Sequence, residues 1–220
     1  GFYDNQFGTV GIPSKNKQII EVTTYRTEYG YKDRRHPEKI SWGKSIEEDL
    51  SRRDFTINAI ALRLASLSQG KPFKLELIDP FFGQEDIKNK IIKAVGDPKK
   101  RFKEDALRLM RAIRFAIKLL FTIEENTWNE IVNDSKLIDE IPKERIKDEL
   151  LRILESKYPY EGIMLLRNSG LLEYILPELL KGEGISQERP GRHHKTDVFT
   201  HNVLSLKFCP SKDSIVRLAT

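Results

Sequence analysis

The chain has 220 residues, with 38 Lys+Arg against 33 Asp+Glu, a formal charge of +5 and a sequence pI near 9.1, which suits a polyanionic partner such as nucleic acid. With 39% hydrophobic and 32% charged residues, a mean hydropathy of -0.50 and no apolar run of bilayer length, membrane-spanning and secretory classes are excluded. The single cysteine, Cys209, excludes a disulfide framework and a cysteine-rich zinc site and fits a reducing, cytoplasmic compartment.

Period-2 patterning governs the first part. Phe7 to Ile12 and Gln18 to Tyr25 read as two antiparallel strands separated by the turn-forming cluster from Pro13 to Lys17. Arg26 to Ser45, with Gly30, Pro37 and Gly43, lacks apolar periodicity and reads as a long irregular stretch of functional or mobile character. Ser45 and Glu48 have capping-box spacing ahead of a short helical turn. Ala59 to Leu67 and Phe73 to Ile78 predict a second strand pair, linked through Ser68 to Pro72, that completes a small mixed sheet.

From Gln84 the period becomes helical: Ile87, Ile91 and Ile92 form one stripe, and Gly96, Asp97 and Pro98 break it. A long helix is predicted from Lys103 to Phe121, with Leu107, Met110 and Ile117 among its buried residues. Further helices are predicted at Glu125 to Asp134, Pro142 to Ser156, Tyr160 to Ser169 and Asp197 to Phe208, so the second half is all helix. The fold class is α+β: a β-rich head joined near residue 95 to a helical arm. A start at Gly1 and a stop at Thr220 just after an apolar stretch suggest a fragment of a longer protein.

Two segments carry chemistry. Arg52, Arg53 and Asp54 lie at a strand mouth, followed by Asn58; paired guanidinium groups can grip a triphosphate or ribose edge, and a carboxylate can accept from a sugar hydroxyl or complete a metal site. An ordinary turn with an Arg–Asp ion pair is the alternative. On a continuous helix, Glu104 and Asp105 would share a face with Arg108, followed by Arg111 and Arg114. Such a face accepts from the exocyclic amine of cytosine or adenine and donates to the neighbouring ring nitrogen, favouring C and A over U and G. The alternative is a surface ion pair of about 0.3–0.5 kcal/mol. Lys99, Lys100, Arg101 and Lys118 form a basic stretch that is either RNA-facing or a solvated helix face.

Read together, Arg52-Arg53-Asp54-Phe55-Thr56-Ile57-Asn58-Ala59, Asp79-Pro80-Phe81-Phe82-Gly83 and Arg101-Phe102-Lys103-Glu104-Asp105-Ala106-Leu107-Arg108 resemble, in order and spacing, the family of class II tRNA nucleotidyltransferases (CCA-adding enzymes) and bacterial poly(A) polymerases. The likeness extends to Phe7-Gly8-Thr9-Val10, Glu21 to Arg26, Arg35-His36-Pro37 and Lys143 to Ile146 with Glu149-Leu150. It implies an incomplete nucleotidyltransferase head of palm type over residues 1–95, a helical neck with the nucleotide-template helix over 96–158, and a helical body with the beginning of an HD-like domain over 159–220. It further implies CCA addition to tRNA from CTP and ATP with Mg2+. Poly(A), A-only or CC-only addition is the alternative within the class, and an RNA-binding or HD-phosphohydrolase module with a vestigial head is the alternative outside it.

Carried over by position, the resemblance gives Arg52, Arg53, Asp54 and Asn58 to ribose contact and palm support, with Asp54 near the metal chemistry. Glu104, Asp105 and Arg108 fall to base reading, Asp79 and Gly83 to head–neck adjustment, and Glu144 and Arg145 to helix support. It makes the Arg26–Gly43 stretch a flexible element for switching from C to A addition. The family's upstream Asp-x-Asp metal motif is absent from these 220 residues, so the chain alone is expected to be inert. Glu21, on a strand beside the expected site, is a further acidic candidate. His193, His194, Asp197 and His201 resemble the opening of an HD domain, with His201 as its first metal ligand, but the later ligands are missing.

Overall fold

The computed structural model describes residues 2–4, 9–14, 16, 18–31, 37–43, 45–65, 74–186 and 196–220. β1 (Phe2–Asp4), β2 (Thr9–Pro13) and β3 (Ile19–Thr23) form an antiparallel sheet in that order, and the hydroxyls of the facing residues Thr9 and Thr23 bond at 3.0 Å. The stretch expected to be irregular is a hairpin instead: β4 (Arg26–Tyr31) pairs antiparallel with β5 (Pro37–Trp42), Arg26 opposite Trp42. Pro37 is tolerated because it opens its strand, where a missing N–H interrupts no central ladder. The predicted turn residues 68–72 lie outside the described residues.

α1 (Ile46–Ser51) begins where the capping spacing places it, with the Glu48 N–H donating to the Ser45 hydroxyl at 3.2 Å. A 3₁₀ turn at Thr56–Asn58 leads to β6 (Ala61–Ala65), which pairs antiparallel with β7 (Lys74–Ile78). Among the described residues these strands do not merge into the one mixed sheet expected; they stay in separate small sheets.

α2 (Gly83–Asn89) ends at Lys90, whose left-handed backbone (φ 57°) redirects the chain. Ile91 and Ile92 therefore do not continue a helical stripe. They form β8 (Ile91–Ile92), parallel to β9 (Thr122–Ile123), so the second half is not purely helical. α3 (Pro98–Glu104) starts with Asp97 accepting the Lys99 N–H at 3.0 Å and proline at the first helical position. The single helix expected from Lys103 to Phe121 is broken: Asp105 is extended (φ -148°, ψ 103°), and α4 spans Leu107–Leu119. The physical reason is local, since the Asp105 carboxylate accepts the Leu107 N–H at 3.1 Å and so caps the second helix at the end of the first.

There follow α5 (Glu125–Asn133), a 3₁₀ segment at Ser135–Glu140, α6 (Lys143–Leu154), α7 (Pro159–Asn168), α8 (Leu172–Ile175), α9 (Pro177–Leu180), α10 (Val198–Phe208) and α11 (Ser214–Leu218). The core is built on α4. Its buried Met110, Ile113 and Ile117 join Ile153 of α6 and Ile163 and Leu166 of α7, each such side chain contributing about 1.5–3 kcal/mol relative to exposure. Phe55 and Ile92 belong to the same cluster, which fixes the Arg52–Asn58 segment against α4. No described helix is long and apolar enough to cross a membrane.

Candidate nucleotide-binding cleft

The segment after α1 is held from both sides. Buried Asp49 accepts from Arg52 through Nε (3.1 Å) and Nη2 (2.6 Å) and from Arg53 through Nη2 (3.3 Å). Beyond them, the Thr56 N–H donates to the Lys93 carbonyl at 2.9 Å and the Val95 N–H to the Asp54 carbonyl at 3.0 Å, with Phe55 bridged to Ala94. The Arg-Arg-Asp turn is therefore rigid backbone, able to present side chains at defined positions.

Asp54 is almost fully buried. Its Oδ1 accepts from the Phe55 N–H (2.8 Å) and Asn58 Nδ2 (3.0 Å), and its Oδ2 from Arg111 Nε (2.8 Å) and Nη2 (2.5 Å). Burial opposes ionisation, but Arg111, then Asn58 and the Phe55 N–H, together hold the carboxyl below its usual value. A carboxyl whose folded pKa is depressed contributes stability above its unfolded pKa and loses it as pH falls through the folded value. Asp54→Asn is therefore expected to be less stable than the parent at neutral pH, with the gap steady down to about pH 5 and closing as pH falls below about 4, the ordinary carboxyl value; a gap that stays constant in acid would contradict this.

From α4, Arg108 reaches back under the turn. Its Nη1 donates to the Arg101 carbonyl (2.9 Å) and Glu104 (2.9 Å), and its Nη2 to the Arg52 carbonyl (3.0 Å). Three of its five N–H groups are engaged, and two remain. From α6, Arg145 grips Asp105 through both carboxylate oxygens (3.2 and 2.9 Å). With the Leu107 N–H on Oδ1, Asp105 keeps one of roughly four acceptor positions, on Oδ2. Asp105 and Arg108 are thus not paired with each other.

These side chains line an open cleft of about 550 Å³, whose walls carry Arg52, Arg53, Arg108, Arg111 and Arg145, two carboxylates (Asp54 and Asp105), and Asn58, Leu107 and Phe115. Five arginines facing two carboxylates leave an excess of positive charge suited to a polyphosphate. Phe115 meets Phe55 edge-on at 5.8 Å, with Arg111 and Arg114 5.4 and 4.3 Å from its centroid.

Of the residues expected at a site, the cleft gathers Arg52, Arg53, Asp54, Asn58, Asp105, Arg108, Arg111 and Arg145. Glu104 lies behind it, bonded to Arg101 and Arg108. Arg114 turns to buried Glu149 of α6 at 2.5 Å, whose other oxygen takes Arg152. Lys99, Lys100 and Lys118 are exposed on α3 and α4, but Arg101 is buried and donates to the Val95 carbonyl and Glu104, so it braces the α3 end rather than facing solvent. Asp79 accepts from the N–H groups of Gly83 (2.7 Å) and Gln84 (2.9 Å), and Glu144 is exposed in the first turn of α6. Glu21 is exposed on β3, and the side chains of residues 26–42 lie outside the described ones.

His201 is exposed on α10, Asp197 caps that helix at the Thr200 N–H (2.8 Å), and His193 and His194 lie outside the described residues. Sequence reading missed Asp49, and it did not place Phe115 or Arg145 in the cleft. The only available signal for Asp49 was its i,i+3 and i,i+4 spacing to the two arginines.

The described α+β segment thus docks its arginine turn on a helical array and opens a polar, cationic cleft between them. Residues 2–93 match the family model described as the poly A polymerase head domain, and residues 120–182 that described as the probable RNA and SrmB-binding site of polymerase A. The chain is 46% identical over 171 residues to a CCA-adding enzyme of Geobacillus sp. (strain WCH70), covering 78% of this chain and 40% of that protein. It is 47% identical over 154 residues to one of Limosilactobacillus reuteri (strain DSM 20016), covering 70% and 36%. The crystal structure of the Bacillus stearothermophilus CCA-adding enzyme in complex with CTP superposes with a TM-score of 0.64 at 38% identity, over 77% of this chain and 38% of that one. An apo form of a CCA-adding enzyme gives 0.70 at 31% identity, over 80% and 40%. The chain belongs to the family of CCA-adding enzymes and bacterial poly(A) polymerases, and spans about 40% of the length of the relatives it matches.

Proposed function

We propose that this chain supplies the nucleotide-selecting part of a cytoplasmic, template-independent RNA 3′-end nucleotidyltransferase that adds CCA to tRNA from CTP and ATP. Its head would extend to about residue 95, its neck over 96–158 and its body over 159–220. The observation that carries the reading is the remaining hydrogen-bonding capacity of two side chains held by others: one acceptor on Asp105 and two donors on Arg108. Cytosine and adenine each present an amine donor beside a ring-nitrogen acceptor and complement that pattern. Uracil and guanine present a carbonyl beside an N–H and would leave buried polar groups unmatched. Curated relatives named CCA-adding enzymes, and solved relatives in complex with CTP and with ATP, support the same substrates.

Magnesium belongs to this class of reaction, but the residues described here do not make a site for it. Both oxygens of Asp54 are engaged, and no group of three or more His, Cys, Asp or Glu suited to a metal occurs among the described residues.

Equilibrium binding of CTP, ATP, UTP and GTP to the chain tests the reading. CTP and ATP are expected to bind about tenfold or more tighter than UTP and GTP, the discrimination of a good bidentate pair. Four equal affinities would overturn it, and a preference for ATP alone would favour the poly(A) or A-adding reading. In the same series, binding of a tRNA that lacks its CCA end is expected to weaken steeply with added salt.

A further inference from the structure

The carboxylate at the centre of the Arg-Arg-Asp turn has no capacity left for a ligand. Asp54 accepts four hydrogen bonds from three different residues, two at each oxygen, which accounts for roughly all the acceptor positions of a carboxylate. Its side chain is 8% exposed, whereas that of Arg111, which covers it on the cleft side, is 31% exposed. A ribose hydroxyl or a cation could reach Asp54 only after Arg111 had been removed from it.

Arg111 is correspondingly constrained. Its Nε and Nη2 both meet one oxygen of Asp54, and its guanidinium lies 5.4 Å from the centroid of Phe115, one turn further along α4. Phe115 in turn packs edge-on against Phe55, the neighbour of Asp54. Besides the Arg108–Arg52 hydrogen bond, the Arg-Arg-Asp turn and α4 are therefore joined by charge and by rings, and these two junctions fix both the position and the plane of the Arg111 guanidinium. Three of its N–H groups, both on Nη1 and one on Nη2, remain available to the cleft.

We propose that Asp54 is a positioning residue, which holds Arg111 in the orientation that receives the polyphosphate of the incoming nucleotide and itself touches neither nucleotide nor metal. This rests on the nucleotide reading of the cleft given above. It differs from the direct ribose or metal role that the resemblance implies for the same carboxylate.

The test is a double-mutant cycle in CTP binding with Asp54→Asn, Arg111→Ala and the pair, measured with and without Mg2+, with folding checked by circular dichroism. Asp54→Asn is expected to weaken CTP about tenfold, the loss of one charge-assisted contact, but to add less than about twofold once Arg111 is alanine. The Nε–H resonance of Arg111 in the nucleotide-free protein is expected to shift in Asp54→Asn. Additive losses, or an Asp54→Asn effect that appears only with Mg2+, would mean that Asp54 meets the ligand or the metal itself and would overturn the proposal. A loss of stability at unchanged CTP affinity would overturn it too.

Should Asp54→Asn fail to fold, Arg111→Lys provides the second reading. It keeps the charge but cannot form the two-nitrogen grip, so a loss of about fivefold or more is expected, and unchanged affinity contradicts positioning. A parent chain that binds no CTP would instead refute the reading of the cleft as a whole, an outcome distinct from additivity.

Discussion

Arg108→Ala is expected to erase the preference for CTP and ATP over UTP and GTP and to weaken CTP by about 10- to 100-fold, since hydrogen bonds to a charged group are each worth about 1.5–3 kcal/mol. The substitution removes the two donors left for a base and also the three that brace the cleft, taking one donor each from the Arg52 and Arg101 carbonyls and from Glu104, which keeps Arg101. A stability loss of about 1–3 kcal/mol should accompany the loss of selectivity. Arg108→Lys separates the two effects. It retains the charge but not the planar fork, so some of the stability should return while selectivity stays low. Binding constants for the four nucleotides, measured beside urea unfolding, provide the check; selectivity that survives in Arg108→Ala removes this residue from base reading.

The second large effect is expected at a residue behind the cleft rather than in its walls. A Cβ on Gly83 would lie 2.2 Å from the Thr56 carbonyl oxygen and 2.9 Å from Cγ1 of Ile60. The Thr56 backbone cannot give way easily, because its N–H is bonded to the Lys93 carbonyl and its hydroxyl to Asp86 of α2 at 2.6 Å. Alanine should favour a helical position by about 0.5–1 kcal/mol, yet Gly83→Ala is expected to destabilise by about 3 kcal/mol or more, the upper range of overpacking. Asp79→Ala, which removes the cap of the same helix, should cost only about 0.5–2 kcal/mol. Urea midpoints for the two variants decide the matter: if Gly83→Ala proves as mild as Asp79→Ala, α2 does not press on the Arg52–Asn58 segment as the geometry requires. Because Thr56 lies two residues from Asp54, the same variant should also loosen nucleotide binding.

What could be read in advance follows from the range of the forces involved. The Ser45 cap, the Asp97-Pro98 start of α3, the β2–β3 and β6–β7 hairpins and the buried Leu107, Met110 and Ile117 are set by neighbours a few residues away or by plain alternation, and they lie where the pattern puts them. The β4–β5 hairpin was not legible, because Gly30, Pro37 and Gly43 mask any alternation. Ile91 and Ile92 read as a helical stripe because their parallel partner, Thr122–Ile123, is remote in the chain. Helical spacing ran straight through Asp105, since the apolar period on either side is nearly in phase; the break came from a side chain bonding to the backbone two residues on.

For the cleft, the residue types were legible and the pairings were not. The amino-acid order alone determined that two arginines and an aspartate sit in one turn, that an acidic pair precedes Arg108, and that Arg111 follows on the same helix. Only the tertiary structure decided that Asp105 is held by Arg145, 40 residues away, and that Asp54 is closed off by Arg111, 57 residues away. The physical reason is that an ionic hydrogen bond acts over about 3 Å. The choice of partner for each carboxylate therefore waits on the packing of α4 against α6 and of the Arg-Arg-Asp turn against α4.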